Sequence, residues 1–213
     1  MTKLELENVT YAYPGSFRPS LASISCTIAT GELVALTGSN GSGKSSLAKI
    51  IAGIIEPDEG EIRGRRNPEL GWNGVALVMQ EPSSQLLTAS VEEEIAWGLE
   101  NLQIDRDEIA RRVDEALDKF GLTALRSKPP EALADGECQL VAFAANTVME
   151  PDILIFDEAT AYLDLRWRKR LWEVAKEAAK RCGVVWITTK DFDRAGVSSV
   201  WRLEKGRLDI LKR

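Results

Sequence analysis

Eight residues from Gly38 to Ser45, reading GSNGSGKS, set two glycines, a lysine and a hydroxyl at the spacing G-x-x-x-x-G-K-[ST]. Gly38 and Gly43 let backbone N–H groups turn toward an anion, and a helix starting at the lysine adds its positive end. Lys44 is expected to reach the outer phosphates of a nucleoside triphosphate, and Ser45 to ligate Mg2+. Ser39, Asn40, Gly41, Ser42 and Ser46 complete the phosphate contacts expected of the loop. A second chemical pair, Asp157 and Glu158, closes the apolar run DILIF. Asp157 is expected in the magnesium shell, and Glu158 beside the outer phosphate as base for an attacking water. A carboxylate at a strand end can instead cap the next segment or stay solvated. The 213 residues contain no histidine, so imidazole catalysis and imidazole ligation are excluded.

These groups need elements to hold them. ELVALTG reads as a buried strand entering the loop, and SSLAKIIAG as a helix closed by Gly53, which is the context a phosphate loop requires. KLELENV alternates as a half-buried strand does. VALVM, DILIF and VVWITT are short β-rich runs separated by helical patterns, which predicts a mainly parallel sheet with crossover helices. Between them, Ser90 and Glu93 form a capping box ahead of a helix whose apolar face is Val91, Ile95, Leu99 and Leu102. Asp105 and Glu108 stand in the same relation before Ile109, Val113 and Leu117, with Gly121 as a stop. The expectation is an α/β fold: a P-loop NTPase core from residues 1–85 and 151–213, with an N-terminal antiparallel β part and an inserted α-helical subdomain over 86–150. VWRLEKGRLDIL predicts two strands about a Lys-Gly turn, leaving no room for a regulatory domain.

Composition narrows the function classes. A net charge of −6 supplies no basic face for a nucleic-acid backbone, so no nucleic-acid partner is expected. Cys26, Cys138 and Cys182 are odd in number and widely spaced, which suggests buried thiols rather than a disulfide framework or thiolate zinc site. No signal peptide is visible, and apolar runs fall short of the roughly 18 residues of a membrane span. A soluble chain is expected, with any membrane role carried by partners.

With these motifs in place, the whole chain resembles the nucleotide-binding domains of ABC transporters. Within them it is most similar to the ATPase subunits of energy-coupling-factor importers of vitamins and transition-metal ions. The likeness lies in VALVMQEPSSQLLTASVEEEIAWGLENL, with its Gln-x-Pro-x-x-Gln stretch and acidic helix, and in RSKPPEAL farther on. The resemblance implies ATP and Mg2+ as ligands. It matches Tyr13 of YAYPG to the aromatic that stacks on adenine, and Gln80 to the glutamine that touches magnesium and the attacking water. Tyr13 could equally fill the core from a strand, and Gln80 could cap a strand end. Asp164 matches the aspartate that communicates across a dimer, with Tyr162 where a small residue is usual. The family pairs two such domains head to tail, which implies a second ABC ATPase subunit, in a homodimer or heterodimer, and a transmembrane coupling subunit docking near residues 80–90. The location implied is peripheral, on the cytoplasmic face of the cell membrane.

Two motifs depart from the family pattern. The signature, usually Leu-Ser-Gly-Gly-Gln or the same with Glu, here reads Leu133, Ala134, Asp135, Gly136, Glu137. Ala134 has no hydroxyl for a γ-phosphate, and Asp135 puts a carboxylate where the family attracts an anion with a helix N-terminus. Asp135 could also simply cap its own helix. The switch histidine is replaced by Lys190, or by Thr189 if the register slips by one; a lysine offsets charge but lacks a planar donor of fixed direction. The expected activity is ATP binding with weak hydrolysis, coupled to uptake. Other readings are a non-catalytic regulatory subunit paired with a competent ATPase, and a cytosolic ABC protein unconnected with transport.

Overall fold

The computed structural model describes residues 3–66, 72–81, 85–160, 163–189 and 196–212. In chain order its elements are β1 (Lys3–Tyr11), β2 (Leu21–Ala29), β3 (Leu33–Thr37), α1 (Lys44–Ile51), β4 (Glu59–Arg63), β5 (Val75–Val78) and α2 (Val91–Asn101). Then follow α3 (Arg106–Phe120), α4 (Asp135–Thr147), β6 (Ile153–Asp157), α5 (Leu165–Ala179), β7 (Gly183–Ile187), β8 (Ser199–Glu204) and β9 (Arg207–Lys212). The large sheet runs β5-β6-β7-β3-β8-β9, parallel except for the last pair. A separate antiparallel sheet runs β2-β1-β4. A mainly parallel core with an antiparallel N-terminal sheet is the α/β class expected.

Strand alternation decides which core each side chain enters. Leu33 and Ala35 of β3, Leu154 and Phe156 of β6, and Val184 and Trp186 of β7 face one core, which they share with α2 to α5. Val34 and Leu36, Ile153 and Ile155, Val185 and Ile187 face the other, against α1 and the antiparallel sheet. A sheet covered on both faces needs apolar residues at every position of its central strands. The continuous runs DILIF and GVVWI meet that need. Phe143 of α4 stacks on Phe156 with centroids 4.0 Å apart, so α4, within the expected helical segment, shares its core with the sheet.

The helix boundaries follow local chemistry, with one correction. Ser90 Oγ accepts from the Glu93 N–H at 3.2 Å, and Gly121 ends α3 in the left-handed region at φ 66°. Asp105 does not form the box expected with Glu108: its side chain accepts from the Asp107 N–H at 2.9 Å. The Glu108 carboxylate goes instead to Arg111 and Arg112, which lie three and four residues along the same face. Lys205 and Gly206, both at positive φ, make the turn between β8 and β9.

Candidate functional site

Parallel strands deliver their carboxyl ends to one edge of a sheet, and ligands of such sheets bind there. β3 and β6 both flank β7 in parallel register, so Thr37 and Asp157 end on the same edge, separated by two strand spacings. That gap, about 10 Å, is bridged from the β3 side by the loop and Lys44. Lys44 Nζ donates to the Gly38 and Ser39 carbonyls at 3.1 and 3.0 Å and lies 3.6 Å from Glu158 Oε1. The lysine is 5% exposed, so its charge is held in a poorly solvated place.

Gly43 at the N-cap has φ 107°, and a Cβ there would lie 2.5 Å from the Ser20 carbonyl. Only glycine suits that turn. No side chain caps the helix that follows, so its first N–H groups stay open to an anion. Ser42, buried beneath the loop, keeps an Oγ without a hydrogen-bond partner. Tyr13, Asn40, Gly41, Gly43, Lys44, Ser45, Ser46, Gln80 and Glu158 line one cleft of about 350 Å³. Ser39 stands at its edge, with Oγ donating to Glu204 at 3.3 Å.

Tyr13 does not fill the core. It is 43% exposed, its hydroxyl pairs with Ser46 Oγ at 3.1 Å, and its ring packs edge-on against Tyr11, the tyrosine of this pair that is buried. Gln80 also lines the cleft, while its carbonyl accepts from Gln139 Nε2 of α4 at 3.4 Å.

The two carboxylates occupy different environments. Asp157 is 9% exposed, accepts a hydrogen bond from the Ser45 hydroxyl, and has an Oδ1 with no partner. Burial pushes its carboxyl above the ordinary aspartate value, outweighing the Ser45 hydrogen bond, while Glu158 raises it and Lys44 and Lys49 lower it. Glu158 adopts φ 50°, an uncommon conformation for a side-chain-bearing residue. Its N–H donates to the Ile187 carbonyl at 3.2 Å, and its Oε2 accepts from Thr189 Oγ1 at 3.4 Å. It caps no helix, since the N-cap of α5 is Asp164. Thr189 therefore reaches Glu158, whereas Lys190 and Tyr162 lie outside the described residues.

The unpaired Asp157 oxygen beside the Ser45 hydroxyl fits a hard divalent cation, which takes oxygen ligands and completes its shell with substrate phosphates. No group of three or more acidic, cysteine or histidine side chains among the described residues could hold a metal alone. The raised carboxyl also makes a stability prediction. A group raised by folding contributes stability below its unfolded value and loses it as pH rises through the folded value. At pH 7 without divalent cations the ionised Asp157 is therefore a cost, and Asp157→Asn is expected to melt higher, at about 2–4 °C per kcal/mol for a chain of this size. The gap between variant and parent should close as the pH is lowered toward the unfolded aspartate range. A variant that melts lower at pH 7 would contradict this environment.

Ala134, Asp135, Gly136 and Glu137 are not among the side chains lining the cleft. Asp135 is not the cap that the sequence allowed. Ala134 is the N-cap and offers no side-chain acceptor, whereas Asp135 is the first helical residue and is exposed. Only the reciprocal half of a capping box survives, with Glu137 Oε2 accepting from the Ala134 N–H at 3.0 Å. Asp164 is exposed and accepts from the Trp167 N–H at 2.9 Å. Two features escaped sequence reading. The Thr189 contact with Glu158 joins residues 31 apart, and the Gln85 amide accepts from the Met79 N–H at 2.8 Å and donates to the Leu77 carbonyl at 3.0 Å, neither of which a local pattern predicts.

Among the described residues no helix is long and apolar enough to cross a membrane. The ABC transporter family model matches residues 21–161. The energy-coupling factor transporter ATP-binding protein EcfA1 of Lacticaseibacillus paracasei is 36% identical over 199 residues, covering 90% of this chain and 72% of that one. EcfA of Methanosarcina acetivorans is 37% identical over 213 residues, covering 96% and 77%. A solved structure, cbiO1 from Clostridium perfringens, described as part of the ABC transporter complex cbiONQ, matches with a TM-score of 0.83 at 31% identity, covering 98% of this chain and 88% of that one. With the loop, the paired carboxylates and the fold all in agreement, the chain belongs to the ABC transporter family, as an ATPase of the energy-coupling-factor type.

Proposed function

We propose that this chain is the ATP-binding subunit of an energy-coupling-factor importer, with an intact nucleotide grip and weak hydrolysis. The observation that carries this reading is the meeting of Lys44, Ser45, Asp157 and Glu158 at one sheet edge, while the N-cap of α4 has lost its hydroxyl. The loop from Gly38 to Ser46 binds the phosphates, and Lys44 offsets charge on the outer two. Ser45, Asp157 and Gln80 would hold Mg2+, which would supply charge neutralisation on the β and γ phosphates. Glu158 accepts a proton as water oxygen attacks the γ-phosphorus, the bond to the β-bridging oxygen breaks, and ADP and phosphate leave. Thr189 orients the Glu158 carboxylate, and Lys190, next in sequence, would offset γ-phosphate charge in place of the family's histidine.

Residues 86–150 act as a helical arm on the core of 1–85 and 151–213, and carry Ala134–Glu137 to the nucleotide held by a second ABC subunit. A transmembrane coupling subunit docks near residues 80–90 and holds the chain at the cytoplasmic face of the membrane. The exposed carboxylate of Asp135 also favours a second reading, a regulatory subunit that pairs with a competent ATPase and closes on ATP without turnover. Co-purification separates them: a membrane partner with turnover at this chain's own loop supports the first, and a hydrolytic partner with a silent site here supports the second.

The base-binding part has its own test. Base–aromatic stacking contributes about 1–3 kcal/mol, so Tyr13→Ala is expected to weaken ATP binding roughly 5- to 150-fold. Binding of inorganic tripolyphosphate should not change, and GTP should compete with ATP because stacking ignores the base edge. Unchanged ATP affinity in Tyr13→Ala, or an equal loss for tripolyphosphate, would remove Tyr13 from the base site.

A further inference from the structure

The starts of α4 and α5 are joined by one side chain. Gly136 has ordinary helical backbone within α4, so its conformation would accept any residue. A Cβ at that position would nevertheless lie 2.5–2.7 Å from three atoms of the Trp167 indole. Space, rather than backbone geometry, demands glycine here. Trp167 sits in the first turn of α5, where its backbone N–H donates to the side chain of Asp164, the residue that opens the helix. The Arg170 guanidinium lies over the same ring at 5.7 Å and also donates to the Phe120 carbonyl at the end of α3. The indole is half-buried against the core shared by α2 to α5.

We propose that Trp167 is a positioning residue for the nucleotide cycle: pressed onto Gly136 and anchored at Asp164, it locks the exposed Ala134–Asp135 pair to the Asp164 turn, so that both approach a second subunit's nucleotide as one rigid unit. This rests on the reading of Ala134–Glu137 as the signature segment. A flat ring on a bare Cα leaves no slack, so a change at either residue is felt by the other. Ala134 contributes no side-chain cap to the start of α4, so the indole packing adds to what the core contacts supply there.

The test uses the full chain as parent, Trp167→Ala, Trp167→Phe, Gly136→Ala and the double variant Trp167→Ala with Gly136→Ala. Amide hydrogen exchange over residues 134–140 is measured together with kcat and KM for phosphate release from Mg-ATP. Trp167→Ala is expected to speed exchange at the start of α4 by about tenfold or more. It should lower kcat by about fivefold or more with KM within about twofold, and Trp167→Phe should restore most of both. Gly136→Ala should be harmful when the indole is present and add less than about twofold once it is gone. Unchanged exchange in Trp167→Ala, or additive effects of the two substitutions, overturns the proposal. Where turnover is too slow to compare, the exchange data alone decide between these outcomes. Asp135→Lys separates the proposal from the reading beneath it. If that charge reversal leaves kcat unchanged while Trp167 and Gly136 still couple in exchange, the signature reading falls, and the nucleotide role of Trp167 with it.

Discussion

Lys44→Ala is expected to weaken ATP binding by about 30-fold to several-thousand-fold, because truncating one member of a buried charge pair costs about 2–5 kcal/mol. The lysine is 5% exposed, and the protein groups around its Nζ are two loop carbonyls and Glu158. Among the described residues no other cationic side chain lines the cleft to take over its contact with the phosphates. Lys44→Met keeps most of the stem and removes the charge, so it should bind as poorly as the alanine variant while folding like the parent. Isothermal titration with Mg-ATP checks both. A loss below about threefold, which is under 1 kcal/mol, would mean that the nucleotide does not bind where the loop and cleft are.

The second large effect concerns hydrolysis. In the proposed reading, Ala134 and Asp135 act on a nucleotide held by a second subunit, whereas Lys190 acts on the nucleotide held by its own loop. In a homodimer each site carries both faults, so Lys190→His alone and Ala134→Ser with Asp135→Gly alone should each recover little. The triple reversion should exceed the product of the partial gains, as groups acting as a unit in one transition state do. Restoring one donor to a developing anion is typically worth about 10²–10³ in kcat, which sets the scale of the full gain. With an intact second subunit the faults fall on different sites, and the two reversions should contribute independently.

Much of this site was legible because its chemistry is local in sequence. The spacing from Gly38 to Ser45 carries its strand, turn and helix within twenty residues, and the apolar run before Asp157 could only be a buried strand. Ser90 and Gly121 act through neighbours three or four residues away, and both appear as read. What the sequence could not reveal depends on which of several competing partners or positions a residue takes, near or far along the chain. Glu108 left its expected cap because Arg111 and Arg112 offered charged partners. Asp135 moved one position into its helix because Ala134, without a side-chain acceptor, took the N-cap. Thr189 meets Glu158 only because β6 and β7 are paired, with Asp157 opposite Ile187. The indole over Gly136 joins residues from two helices that no local pattern connects.

The central claim is a complete grip with a weakened trigger, and steady-state phosphate release tests it most directly. The parent chain, saturated with Mg-ATP, is predicted to turn over well below about 1 s⁻¹, the lower edge of ordinary enzyme rates. The triple revertant Ala134→Ser, Asp135→Gly, Lys190→His should rise well above the parent. A parent already hydrolysing ATP at about 1 s⁻¹ or faster would contradict the account.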